Sequence, residues 1–139
     1  MKRIMLPLGL LLWIFSTLLL ARTPAPEGVE VYIISPADGA IVTSPVNIKY
    51  GLQGMGVAPA GVDRAGTGHH HLLVDVEQLP DLNMPVPSDQ KHRHFGGGQT
   101  EVAIPLDPGQ HSLQLLLGDM NHIPHQPAIQ SSRITITVK

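Results

Sequence analysis

The chain has 139 residues, no cysteine and a formal net charge of −2. These values exclude a disulfide framework and a thiolate metal site, and they argue against a nucleic-acid-binding protein, which usually carries a basic surface. Charged residues make up only 14% of the chain, whereas 13 prolines and 14 glycines predict many turns and little helix.

The first segment in chain order joins a short basic region to a long apolar run. Met-Lys-Arg precedes the apolar residues 4–20, and Ala21 follows them. This order is typical of a secretory signal, so we expect a signal peptide over residues 1–21, a linker over 22–28 and export to the periplasm or beyond, with no membrane attachment after cleavage. The run also approaches the minimum length of a membrane-spanning helix, about 17 residues, and an uncleaved anchor is therefore the alternative.

Residues 29–139 have the pattern of one domain made of short strands. Apolar and polar side chains alternate clearly, for example in residues 46–52, and turn signals such as Asp107-Pro108-Gly109 separate the segments. The predicted strands are residues 29–34, 46–52, 69–76, 100–106, 111–117 and 132–138, with a short extended piece at 40–43. About seven short strands without a helical period favour an all-β, immunoglobulin-like or fibronectin-like antiparallel sandwich.

Histidines mark the candidate functional site. Seven of the eight fall into three groups, which are His69-His70-His71, His92-x-His94 and His122-x-x-His125. Each group borders a long loop, and long loops in small domains are often functional. Neutral imidazole is the commonest metal ligand in proteins, so three short groups that converge after folding would form a metal site.

The first group lies at the start of a predicted strand. Because side chains alternate, His69 and His71 share one face, about 6.6 Å apart along the chain, and form a plausible pair of ligands. His70 shares the other face with Leu72 and Val74, and we expect it to be a hydrogen-bonded structural residue at the edge of the core. The alternative for His69 and His71 is a polar strand face with solvated imidazoles.

The second and third groups add four candidate ligands. His92 and His94 repeat the spacing of the first pair, although the neighbouring Lys91 and Arg93 would repel a cation, and a flexible basic loop is the alternative. In the third group a proline between His122 and His125 restricts the loop and lowers the entropy of ordering the two rings.

Two aspartates are candidates for hydrogen bonds that orient ligating rings. Asp75 and Asp119 lie close to the first and third groups, and such carboxylates commonly fix the tautomer of a metal-bound histidine. A turn or capping role is the alternative for Asp119. His111 has no clustered partner and is expected to be structural.

These features predict a histidine-rich protein that binds Cu(II) or Zn(II) through ligands drawn from His69, His71, His92, His94, His122 and His125. Binding should weaken below about pH 6.5, because a ligating imidazole must be neutral. The alternative is a non-catalytic envelope module with structural histidines, whose partner would be an envelope protein or a glycan. An enzyme is not expected, since the chain has neither a Gly-x-Ser-x-Gly elbow nor a cysteine nucleophile.

Several longer motifs resemble one bacterial family. They are Ser35-Pro-Ala-Asp-Gly-Ala, Ser44-Pro-Val, Gly54-Met-Gly-Val-Ala-Pro-Ala-Gly, Gly66-Thr-Gly-His-His-His-Leu-Leu-Val-Asp, His94-Phe-Gly-Gly-Gly-Gln-Thr-Glu and Leu115-Leu-Leu-Gly-Asp-x-x-His-x-Pro-His. Together they resemble the family called domain of unknown function 4399, from about Val31 to Val138. The resemblance implies an exported bacterial domain and no established activity.

Overall fold

The computed structural model describes residues 21–139, and this part of the chain contains strands and no helix. The nine strands are β1 (Glu30–Ser35), β2 (Ile41–Val42), β3 (Val46–Gln53), β4 (Gly56–Val57), β5 (Thr67–Val74), β6 (His92–His94), β7 (Glu101–Ile104), β8 (Gly109–Gly118) and β9 (Ile134–Val138). Within these residues no helix is long and apolar enough to cross a membrane. The predicted signal segment, apart from Ala21, lies outside the described residues.

The strands form two sheets. The smaller sheet is antiparallel, in the order β1-β3-β7, and the larger one has the order β2-β9-β8-β5-β4, with β6 also paired to β5. The prediction of an all-β sandwich is thereby confirmed. The larger sheet is mixed rather than purely antiparallel, because the two-residue strands β2 and β4 pair in parallel with β9 and β5.

The main core lies between the two sheets and follows from the alternation of side chains along each strand. Its central members are apolar residues of β1, β3, β5, β8 and β9: Val31, Val46, Ile48, Tyr50, Leu72, Val74, Leu113, Leu115, Leu117, Ile136 and Val138. The face of β5 that we predicted to be buried, with His70, Leu72 and Val74, is indeed part of this core or next to it.

The outer face of the larger sheet is covered as well. Leu73 of β5 and Leu116 of β8 pack there against Val86, which lies in the long connection between β5 and β6, and form a second, smaller apolar cluster. Strand β5 is therefore buried on both faces, from Gly68 to Val74. The alternative of a solvated strand face for His69 and His71 is wrong, because the loops fold over it.

Strand β5 ends two residues earlier than predicted. Asp75 has a positive φ of 55°, a conformation that breaks the extended run. Its carboxylate accepts hydrogen bonds from the His111 ring at 2.7 Å and from the backbone N–H of Ser112 at 2.9 Å. These bonds fasten the end of β5 to the start of β8.

Candidate metal centre

Four imidazoles from three parts of the chain meet on the outer face of the larger sheet. They belong to His69, His71, His94 and His122, and one ring nitrogen from each lies within 4.8 Å of the others. Among the described residues, the group contains no carboxylate and no thiolate.

Strand geometry places three of the four rings. His69 and His71 lie two residues apart on β5 and so project from the same face. Strand β6 runs antiparallel to β5 with His94 directly opposite His71, and directly opposed side chains lie on one face. The His71 and His94 rings stack, with centroids 5.2 Å apart.

A tight turn after β8 places the fourth ring. One carboxylate oxygen of Asp119 accepts hydrogen bonds from the backbone N–H groups of Asn121, at 2.9 Å, and Ile123, at 3.0 Å. The intervening His122 adopts a positive φ of 66°, which is costly for a residue with a Cβ atom. Thr23 donates a further hydrogen bond to Asp119, at 2.7 Å. The structure thus holds His122 in a conformation that it would not adopt alone.

Two glycines leave space for the rings. A Cβ atom on Gly118 would lie 2.7 Å from Cε1 of His71, and one on Gly96 would lie 2.3 Å from Cε1 of His94. Real Cβ atoms do not approach other atoms so closely. Neither glycine has the positive φ that would by itself demand glycine, so the imidazoles explain the absence of a side chain.

Burial keeps the imidazoles of His69, His71 and His94 neutral. Burial, together with the neighbouring rings of His122 and His94, lowers the pKa of His69 to about 4. Burial likewise lowers the pKa of His71 to about 3, with a further contribution from the other rings. The pKa of His94 is lowered for the same reasons. At neutral pH these three rings carry unprotonated nitrogens, the form that binds metal.

Several of these nitrogens lack hydrogen-bond partners. In the described part of the chain, neither ring nitrogen of His71 has one, and neither does Nε2 of His94, although all three atoms are buried. Nε2 of His69 and Nδ1 of His122 are 3.1 Å apart, so a single proton can be shared between them. Buried polar atoms are normally paired with a protein group, an ordered water molecule or an ion, so these nitrogens are free to accept a ligand.

Two predicted ligands lie outside this group. His92 bonds instead to the carboxylate of Asp89, at 2.9 Å, and this hydrogen bond lowers the pKa of Asp89. His125 is buried elsewhere in the third loop, where burial lowers its pKa. One histidine of each later pair therefore belongs to the group, and the other does not. The members are His94 and His122, and the two outside it are His92 and His125.

The two aspartates have roles other than orienting a ligating ring. Asp75 bonds to His111, which has a partner after all, and Asp119 uses its oxygens for the turn around His122. The alternative turn role of Asp119 is the one that the structure shows.

His70 lies on the opposite face of β5, fully buried, with its ring centroid 5.2 Å from that of Tyr50. Its ring nitrogens make no close hydrogen bond among residues 21–139, and the backbone of Gln99 is the polar group that interacts with the ring. Burial lowers its pKa to about 4.

The sequence analysis did not identify Gly96 and Gly118 as parts of the site. Gly96 lies two residues after His94, and Gly118 lies four residues before His122. The signal was present for Gly96, since the run Phe-Gly-Gly-Gly indicates a close approach of the backbone to another group. The side chain that lies against Gly118 is that of His71, 47 residues earlier in the chain, and no pattern in the neighbouring sequence indicates this contact.

Comparison with known proteins agrees with the motifs quoted above. Residues 48–139 match the family described as "Domain of unknown function (DUF4399)". No curated protein and no solved structure matches the chain. The matched region begins within β3, continues through β9 and includes all four clustered histidines. The chain therefore belongs to the DUF4399 family.

Proposed function

We propose that this protein is a non-catalytic metal-binding domain of the bacterial envelope, which holds one zinc or copper ion between His69, His71, His94 and His122. The observation that supports it most is the approach of four imidazole nitrogens to within 4.8 Å of one another. In a tetrahedral site with Zn–N bonds of about 2.0–2.1 Å the ligand nitrogens lie about 3.3–3.4 Å apart, so the rings must draw closer together, by up to about 1.4 Å, when the ion binds.

The chemistry of the group suits such an ion. Imidazole binds zinc and copper well, whereas magnesium and calcium prefer oxygen ligands, which are absent from the group. The proton between His69 and His122 must move to the outer nitrogen of its ring when a metal occupies the space. Burial lowers the pKa of His69 and His71, so these two rings are in the neutral form that binds metal.

The two halves of the group differ in exposure. His69 and His71 are fully buried on β5, an interior strand of the larger sheet, while His94 and His122 are half-buried. An ion would therefore reach the site from the side of His94 and His122. A site that is rigid on one side and accessible on the other suits an exchangeable ion.

The test exploits two histidines of the same short strand. His94 lies in the group and His92 lies outside it, two residues away on β6. Equilibrium dialysis of tag-free protein with Zn(II) and Cu(II) should show one ion per chain for the wild type and for His92→Gln. His94→Gln should lose at least ten-fold in affinity, and His69→Gln/His71→Gln should lose binding altogether.

Equal uptake by the wild type and the His69→Gln/His71→Gln protein would overturn the proposal. So would the absence of uptake by a folded wild-type protein. In that case the 3.1 Å contact between His69 and His122 would favour the second candidate, an envelope module in which a histidine network holds the loops for a protein or glycan partner.

A further inference from the structure

We propose that, when copper occupies this site, the protein favours Cu(I) over Cu(II). The inference rests on the proposed metal-binding function and concerns which oxidation state the four rings accommodate. Two independent features carry it: the spatial arrangement of the rings and the charge of the donor set.

The rings surround their common centre in a nearly tetrahedral arrangement. The six distances between ring centroids range from 4.6 Å, for His94–His122, to 6.0 Å, for His71–His122. In the planar arrangement that Cu(II) prefers, the two diagonals of the square would exceed the sides by about 1.4-fold. If the four rings formed a square, His71–His122 and His69–His94 would be its diagonals. These two distances are 6.0 and 5.0 Å, and the four sides would be between 4.6 and 5.2 Å. The diagonals are too short for a square, so the rings do not lie in one plane.

The protein resists flattening of this arrangement. His69 and His71 project from a strand that is paired on both sides and buried on both faces. The His71 ring also lies directly against the backbone at Gly118, and the turn that carries His122 is held by Asp119. Movement of any ring into a common plane would disturb the packing of β5 or the bonds of that turn.

The donor set is electrically neutral. Among the described residues the group consists of four imidazoles without a carboxylate or thiolate, so a bound ion keeps its full charge. The oxygens of Asp119, which influences His69 through its charge, are engaged by Thr23 and by backbone N–H groups. The cost of burying an ion rises with its charge, so this half-buried site penalises Cu(II) more than Cu(I).

Reduction at the site requires one electron and no proton. Bound Cu(II) takes one electron from an external donor such as ascorbate and becomes Cu(I), while the four imidazoles remain neutral ligands. The donor loses the electron, and no bond within the protein forms or breaks.

The test compares the affinities of the two oxidation states. Tag-free protein is titrated with Cu(II) against a chelator, and with Cu(I) under anaerobic ascorbate against a Cu(I)-specific chromophore. We expect Cu(I) to bind at least 100-fold more tightly, which places the reduction potential of the bound copper about 120 mV above that of the aqueous couple, at 59 mV for each factor of ten. Equal or tighter binding of Cu(II) overturns the inference.

Two variants and a second ion separate this inference from the proposed function. His94→Asp adds a negative charge to the donor set and should reduce the preference for Cu(I) at least ten-fold, while His92→Asp, outside the group, should leave it unchanged. An unaltered preference in His94→Asp would overturn the charge argument. Binding of Zn(II) without a preference for Cu(I) would leave the proposed function standing, whereas failure to bind any of the three ions would remove both.

Discussion

Gly118→Ala places a methyl group where the ring of His71 lies. The added Cβ atom would be 2.7 Å from Cε1 and 3.2 Å from Nδ1 of that ring, and 3.3 Å from the backbone carbon of His122. Ordinary carbon–carbon contacts are about 3.5–4.0 Å, so the ring must move by about 1 Å or β8 must shift. Because His71 is fully buried, little free space can absorb this movement.

The expected effects are a loss of stability and a larger relative loss of metal affinity. Overpacking of a buried position costs about 1–3 kcal/mol of unfolding free energy, which urea unfolding of the metal-free protein measures. Because His71 is one of the proposed ligands, displacement of its ring should lower the Zn(II) affinity measured in equilibrium dialysis about 10–100-fold.

The matched control is Gly56→Ala, beside the same strand. Its Cβ atom would make an ordinary contact of 3.4 Å with the methyl group of Thr67, and Gly56 does not have a positive φ. This variant should keep the wild-type affinity. If Gly118→Ala bound Zn(II) as tightly as the wild type, the reasoning that the glycine makes room for a ligating ring would be refuted.

Three other predictions concern stability. Burial lowers the pKa of His70 to about 4, so the unfolded state takes up its proton first as the pH falls below about 6.5. This difference lowers the free energy of unfolding by about 3 kcal/mol between pH 7 and pH 4. In urea unfolding at the two pH values, His70→Phe should remove that part of the decrease. A decrease as large as that of the wild type would contradict the prediction. His111 behaves oppositely: burial lowers its pKa, but the hydrogen bond and charge of Asp75 outweigh this and raise it. The stability that the protonated His111 ring contributes is complete below the pKa of the unfolded state and disappears as the pH rises through the pKa of the folded state. Asp75→Asn should therefore destabilise the protein more at pH 6 than at pH 9. An equal loss of stability at both pH values would count against the pairing of Asp75 with His111. Asp119→Ala removes the acceptor that holds the turn around His122, and should cost about 2–3 kcal/mol in urea unfolding and weaken Zn(II) binding; a neutral effect on both would show that the turn is held otherwise.

The predictable part of the site was the part encoded by neighbouring residues. The two-residue period of a strand placed His69 and His71 on one face and His70 on the other, as the structure shows. Buried strands with alternating side chains also indicated the sandwich, because one face of each must be covered. Sequence spacing was a poorer guide to His92 and His125, since equal spacing says nothing about where a short strand or loop lies relative to the first pair.

Long-range pairing decided the rest. The register of β6 on β5 sets His94 opposite His71, and a shift of one residue would turn both histidines of β6 to the other face. The connection between β5 and β6 packs Val86 against Leu73 and Leu116 on the outer face of the sheet. On the same face, burial lowers the pKa of His69 and His71.

By itself, then, the amino-acid sequence determined that this chain forms strands, which side chains of each strand lie together, and that imidazole is the dominant chemical group near its loops. Only the tertiary structure decided that His69, His71, His94 and His122 form one group, and that Gly96 and Gly118 make room for it. The reason is physical: alternation is a property of a few consecutive residues, whereas convergence depends on strand register and on the turn at Asp119, which join residues far apart in the chain.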